Sequence, residues 1–526
     1  MHSGTQRPNI VWIVLDTHRY DRLGSYGNGR GLSPNLDALA AQSLVFERAI
    51  APAQWTIPSH ASMFTGEFPS THLTTQSGDM LDPFFRTAAE WLKEGGYTNV
   101  GFCNNPLVGV IHNGFTRGFD NFYNYGGAVP SLPSRSAHYP VKLLSQVWER
   151  YTQLLRRISY PIQNAIAQSE ALLRLSLVPV FVPLWTRFAH FKGDTRRSIV
   201  DADHFIQKKL GPSQGQPHFV FINLFETHLP LNAPEPFISR FAPTYKEDRI
   251  ARDFMLVYNT QALRWLLPME EPFSQLEAQI LSEMYDAEVA YQDHLLARLL
   301  ETLDQPYHRD HTALIVVADH GEMLGEHCLM GHGFGVYEEL VRVPLMIRLP
   351  GQHQGSRIDS LVSTAHLFHT ILDLARVDNP VLVERTKSPL ETMSLARFQA
   401  ERAAPLVVSE AYAPHNVIRI LERENPRLLE QFLCRSTHRA AYNQRLDKLV
   451  QIEGDGSAWI NLREDPLEAR SRPGDGLLPG LGLLSSGLEG FIREAVERQP
   501  PNWTRKDLSI EDKMVLQRLR KLGYLE

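Results

Sequence analysis

The chain has 526 residues, 43% of them hydrophobic and 21% charged, an ordinary globular composition with length for a large core. Its formal net charge of −6 carries no basic footprint, so nucleic acid is not an expected partner. Cys103, Cys328 and Cys434 are too few and too far apart for a disulfide framework or a cysteine metal site, and they point to a reducing, cytoplasmic setting.

The first eight residues are polar, and Asn9–Leu15 is too short for a secretory signal core. It runs into Asp16 and reads as the first core strand. Further apolar runs at 99–103, 218–225, 312–318 and 343–347 have the Val/Ile/Leu/Phe texture of buried parallel strands. Helical patterns lie between them, at Ser33–Phe46, Phe84–Gly95 and Leu276–Leu303. Strands alternating with helices predict an α/β fold with a mostly parallel sheet. Residues 131–200 interrupt this order with an apolar and basic helical stretch. It reads as an insertion, either a packing subdomain or dimer surface, or else a lid or membrane-surface patch. The longest apolar run, Leu175–Trp185, contains Ser176 and two prolines and falls short of the roughly 18–20 residues that span a bilayer. From 405 the texture changes. Pro405–Glu410, Arg439–Ile452 and Trp459–Leu462 read as strands of a small antiparallel sheet, Ser471–Gly482 as loop and Ser509–Tyr524 as an amphipathic helix. The expected division is a catalytic unit over 1–404 and a smaller α+β subdomain over 405–526.

The residues that follow the strands carry the chemistry. Asp16 follows the first, Asn104 and Asn105 the second, Glu226 and His228 the third, Asp319 and His320 the fourth. Ligands of open α/β sheets bind outside the carboxyl ends of the strands, so these groups are expected on one rim. Asp16, Asp319 and His320 form a mixed oxygen and imidazole set suited to one divalent cation, Zn or Mn ahead of Ca or Mg. Gly321 would permit a sharp turn after the Asp-His pair. Taken alone, that pair also fits a salt-bridged core edge. His332 stands between glycines and His228 precedes Leu229-Pro230, which suits exposure in a cleft.

Trp55-Thr56-Ile57-Pro58-Ser59-His60 reads as a helix start, since proline is tolerated in the first turn. On its own Thr56 could be an N-cap. Beside a cation site, which would lower its pKa, its hydroxyl becomes a candidate nucleophile.

These segments resemble the sulfatase branch of the alkaline phosphatase superfamily. The matching stretches are Asp16–Gly27, Thr56–Gly66, Ala318–His327, Tyr337–Glu339 with Arg342–Leu345, Asp447–Val450 and Asn461–Glu468. The resemblance implies an alkaline-phosphatase-like sheet flanked by helices. It implies Asp16, Asp319, His320 and Thr56 around a divalent ion, and His228 and His332 at the substrate's anionic group or leaving oxygen. Asn104, His60 and His327 are expected to bind substrate. Thr17 stands where many sulfatases carry a second adjacent acid. Typical members carry Cys or Ser in C/S-x-P-S-R, which is converted to formylglycine; here the stretch is Thr-Ile-Pro-Ser-His. A formylglycine hydrate releases sulfate by collapsing to the aldehyde, an exit closed to threonine, whereas a phosphothreonine is resolved by in-line water attack. The expected function is therefore metal-dependent hydrolysis or transfer of small anionic phosphate or phosphonate esters through Thr56. A sulfatase working without formylglycine is the alternative. A non-catalytic binding relative is a third reading, and the intact Asp16, Asp319 and His320 speak against it.

Overall fold

The computed structural model describes residues 7–126, 192–212, 215–261, 267–377, 390–470, 472–473 and 481–501. The strands in chain order are β1 (Asn9–Leu15), β2 (Leu44–Ile50), β3 (Thr98–Cys103), β4 (Asn121–Asn124), β5 (His218–Leu224), β6 (Thr312–Ala318), β7 (Met323–Leu324), β8 (Met330–Gly331), β9 (Arg342–Arg348), β10 (Ser356–Ser363), β11 (Val407–Ala411), β12 (His438–Tyr442), β13 (Asp447–Ile452), β14 (Gly456–Asn461) and β15 (Arg472–Pro473). Eight of them form one sheet in the order β10-β2-β9-β6-β1-β5-β3-β4.

β1 lies at the centre, parallel to both β5 and β6. All seven of its residues are buried. Its side chains alternate between two cores: Ile10, Trp12 and Val14 pack on one face, Val11, Ile13 and Leu15 on the other. That two-sided burial explains the unbroken apolar run, because both faces are covered by helices. Gln275–Asp304 is one such cover, a 30-residue helix opened by a Ser274–Glu277 capping box.

Three expectations change. Pro34–Ala40 (α1) is the whole of the first predicted helix, and Leu44–Phe46 belong to β2 instead. The chain turns at 41–43, and Val45 and Phe46 then bury on a pleated surface, a position that suits β-branched and aromatic residues. The second predicted helix covers just Ala88–Glu94, since the Thr87–Glu90 capping box fixes its start four residues later than the apolar pattern suggests. β9, expected to be parallel, pairs antiparallel with β2 and β6. The sheet stays mostly parallel around this one reversed strand.

A second, antiparallel sheet runs β11-β12-β13-β14-β15. Part of the stretch read as loop is ordered as β15 and as the start of the Leu481–Glu497 helix. Most of the predicted insertion and the predicted Ser509–Tyr524 helix lie outside the described residues. The end of that insertion is not inserted at all: Thr195–Lys209 is a helix whose Ile199, Ala202 and Ile206 join the core beside β1. Among the described residues no helix is long and apolar enough to cross a membrane.

Candidate active site at the strand ends

Asp16 leaves the end of β1 with its amide donating to Leu224 O of β5. Asp319 and His320 leave the end of β6, the next strand across. This adjacency brings Asp16, Asp319 and His320 together, fully buried, with one potential ligand atom from each within 4.8 Å of the others. Gly321 contributes in a way the sequence does not show. Its backbone is outside the left-handed region; what it provides is room, because a Cβ there would meet Glu339 O at 1.9 Å.

The polar contacts of this trio leave specific atoms over. Asn105 Nδ2 donates to Asp16 Oδ2 at 2.5 Å, and Asp319 Oδ1 accepts from the amides of Thr17 and His320. Asp16 Oδ1 and Asp319 Oδ2 have no hydrogen-bond partner. His320 holds Gly321 O with Nδ1 at 2.8 Å, which fixes that nitrogen as the donor and leaves the Nε2 lone pair facing the trio. Burial, and then the neighbouring Asp319, raise the Asp16 carboxyl well above its ordinary range, and burial raises Asp319 to about 7. Burial also lowers His320 well below the ordinary imidazole value. Two buried carboxylates without a cation are costly, by several kcal/mol per ion. Two orphaned carboxylate oxygens and one imidazole lone pair therefore fit a divalent cation, and the N/O donor set fits Zn or Mn well.

Thr56 is the first residue of α2 (Thr56–Thr65). Trp55 occupies the N-cap and no side chain caps the helix. The Thr56 hydroxyl is thus not spent on capping. Its Oγ1 lies 3.3 Å from His320 Nε2 and 3.5 Å from Asn105 Nδ2. It sits at the positive end of a ten-residue helix, where negative charge is favoured.

His332 and His228 complete the site. The His320 and His332 ring centroids are 4.6 Å apart, and those of His228 and His332 5.1 Å. His332 Nδ1 stands 3.1 Å from Glu322 Oε1. Burial opposes the charged imidazolium, but the Glu322 carboxylate outweighs it and holds His332 above its ordinary value. Burial, then the proximity of His332, pushes His228 down to about 3. The two rings are shifted in opposite directions, His332 toward the charged form by Glu322 and His228 toward the neutral form by burial.

Three expected substrate-binding residues lie elsewhere. His60 is fully buried one turn into α2; its Nε2 accepts from Asn223 Nδ2, so Nδ1 carries the proton, which it offers to Thr56 O at 2.9 Å. It braces the first turn of α2 from behind, with Nδ1 also 3.4 Å from Asp319 Oδ2. Asn104 turns away and donates to Lys192 O and Thr195 Oγ1, and its neighbour Asn105 faces the site in its stead. His327 stacks on Tyr337 with centroids 4.1 Å apart and joins none of the ligand groups. Thr17 directs its hydroxyl at Asp16 O, 2.7 Å away, and not at the trio. Glu322 and Asn105 are the groups that sequence reasoning left without a role. The signal for Glu322 was its position two residues after His320.

The large, mostly parallel sheet gathers acid, imidazole and hydroxyl groups at its strand ends, the place where enzymes built on open α/β sheets bind their ligands. A family model described as Sulfatase matches residues 8–377, and the chain belongs to the sulfatase family. It is 24% identical over 383 residues to the uncharacterized sulfatase YidJ of Escherichia coli, covering 72% of this chain and 70% of that one. It is 25% identical over 376 residues to mouse iduronate 2-sulfatase, spanning 67% of this chain and 61% of the mouse protein. Among solved structures, the phosphonate monoester hydrolase of Agrobacterium radiobacter superposes with a TM-score of 0.63 at 20% identity, covering 94% of this chain and 96% of that one. A 2-O GAG sulfatase superposes with a TM-score of 0.57 at 17% identity, over 94% and 92%. These superpositions establish a shared fold.

Proposed function

We propose that the protein cleaves small anionic phosphate or phosphonate esters, by hydrolysis or transfer, with Thr56 as the nucleophile. The observation that carries this reading is the uncapped Thr56 hydroxyl at the start of α2, 3.3 Å from His320 Nε2 and beside two orphaned carboxylate oxygens. Asp16, Asp319 and His320 would hold the divalent cation. When bound, that cation supplies Lewis acidity, favouring the ionised hydroxyl and the negative charge of the ester. Thr56 Oγ1, its proton released to water, attacks phosphorus and the bond to the leaving oxygen breaks. Asn105 and the N-terminus of α2 orient and stabilise the anion. His332, whose charged form Glu322 favours, gives its proton to the leaving oxygen, and His228, shifted toward its neutral form by burial, lines the same side. Water then attacks the phosphothreonine in line, its proton returning to His332, and the bond from phosphorus to Thr56 Oγ1 breaks. On this reading residues 1–404 carry the chemistry, residues 405–526 form an accessory subdomain, and the sparse cysteine usage supports a cytoplasmic setting.

A second reading, sulfate-ester hydrolysis, is favoured by the relatives that are sulfatases by name. The threonine supports the first reading, because a threonine sulfate ester lacks the aldehyde exit. Initial rates on para-nitrophenyl phenylphosphonate, bis(para-nitrophenyl) phosphate and para-nitrophenyl sulfate decide between them. The phosphorus esters are expected to be cleaved faster, and a sulfate rate above both would overturn the proposal. Thr56→Ala should abolish turnover of the preferred ester.

A further inference from the structure

The C-terminal sheet contains a fully buried ammonium that the chemistry above does not use. Lys448, on β13, donates to Val336 O at 2.6 Å, pairs with Glu468 Oε1 at 2.6 Å and reaches Glu338 Oε1 at 3.4 Å. Glu338 Oε1 also accepts from Tyr442 Oη of β12 at 3.0 Å, and Glu468 Oε2 accepts from the Glu338 amide at 2.7 Å. Apart from the Lys448–Glu468 pair itself, every link in this cluster ends on 336–338, the segment directly downstream of His332. Gln54, two residues before Thr56, adds a second tie: its Nε2 donates to Tyr412 O, just past β11, at 3.1 Å and lies 3.5 Å from Gly333 O.

We propose that Lys448 is a positioning residue for the active site: through Val336 and Glu338 it fixes the loop that sets His332 beside His320 and His228. The inference rests on the reading of His332 as the group that protonates the leaving oxygen. The argument is geometric. The loop between β8 and Glu338 has little regular structure of its own, with a glycine on each side of His332 and Gly335 in the left-handed region at φ +84°. Such a segment does not hold a side chain in place by backbone preference. A buried ammonium with three fixed oxygen partners does, because moving any partner strands a charge away from water. The C-terminal subdomain thus acts on the reaction without contributing a side chain to it.

The test compares Lys448→Met, His332→Ala and the double variant, with rates normalised to folded protein by circular dichroism and divalent-metal content measured on each. Substrates are para-nitrophenyl phenylphosphonate, whose leaving group needs no proton, and methyl phenylphosphonate, whose leaving group does. If Lys448 acts through His332, Lys448→Met lowers kcat on the methyl ester by about tenfold to 10²-fold. It leaves KM and metal content near wild type, spares the para-nitrophenyl ester, and adds nothing to His332→Ala in the double variant. Equal losses on the two esters, or additive losses in the double variant, overturn the inference alone. Full activity of His332→Ala overturns the reading of His332, and a wild-type enzyme inert on both esters overturns both.

Discussion

Two buried clusters of charge in this molecule differ in one respect that separates function from architecture. At the C-terminal junction, Lys448, Glu468, Glu338 and Tyr442 satisfy one another. At the strand ends, Asp16 and Asp319 lie equally buried, yet each keeps an oxygen with no hydrogen-bond partner, and no lysine or arginine among the described residues is paired with them. Burial alone does not mark a site. A buried acid with its partners supplied is a tie between segments; two neighbouring buried acids, each with an oxygen left over beside an imidazole, make a place for a cation.

The comparison can be broken or sharpened from either side. The largest effect is expected at the strand ends: His332→Gln should lower kcat by about 10²–10⁴-fold on an ester with a poor leaving group. Because Glu322 holds His332 above the ordinary imidazole value, wild-type activity should fall with rising pH at a point above about 6.5, and the variant should lose that alkaline limb. The same shift has a stability sign. The His332–Glu322 contact contributes fully below the unfolded imidazole value and is lost as pH rises through the folded one. At the junction, Glu468→Ala should cost about 3–5 kcal/mol in urea unfolding by leaving Lys448 underpaired, with no loss of bound metal. Next comes the cation: at a hundredfold excess over its Kd, Mn or Zn should stabilise the metal-stripped protein by about 2.7 kcal/mol in thermal unfolding, and Asp319→Asn should reduce that gain. The smallest effect belongs to a charge pair at the surface. Arg249 and Asp253 are 87% and 69% exposed where they meet, and Arg249→Ala should cost less than about 1 kcal/mol.

What the sequence made legible follows from what sequence can encode. β1 and β6 are continuous apolar runs, so their ends, and with them Asp16, Asp319 and His320, could be found by reading. Thr56 could be found as a helix start, although the structure was needed to show its hydroxyl free of capping. Side-chain direction at a strand end is another matter. Asn104 and Asn105 are adjacent and chemically identical, and only the packing of the 195–209 helix decides that Asn104 faces Thr195 while Asn105 faces Asp16. His60 appeared to offer a polar group to substrate; helical geometry instead turns it back on Thr56 O, among Phe64, Phe115 and Phe221. The strand β2 was hidden because Leu36, Leu39, Ala40 and Leu44 happen to continue a helical spacing across a turn. The reversal of β9 is a property of the connection and leaves no trace in its composition.

The claim that Thr56 is the attacking group is tested most directly by acid-quenching the enzyme during turnover of para-nitrophenyl phenylphosphonate and taking the mass of the peptide that contains Thr56. The account predicts a phenylphosphonyl group on that threonine, absent when Thr56 is replaced by alanine. Steady turnover with Thr56 unmodified, and undiminished in Thr56→Ala, would contradict it.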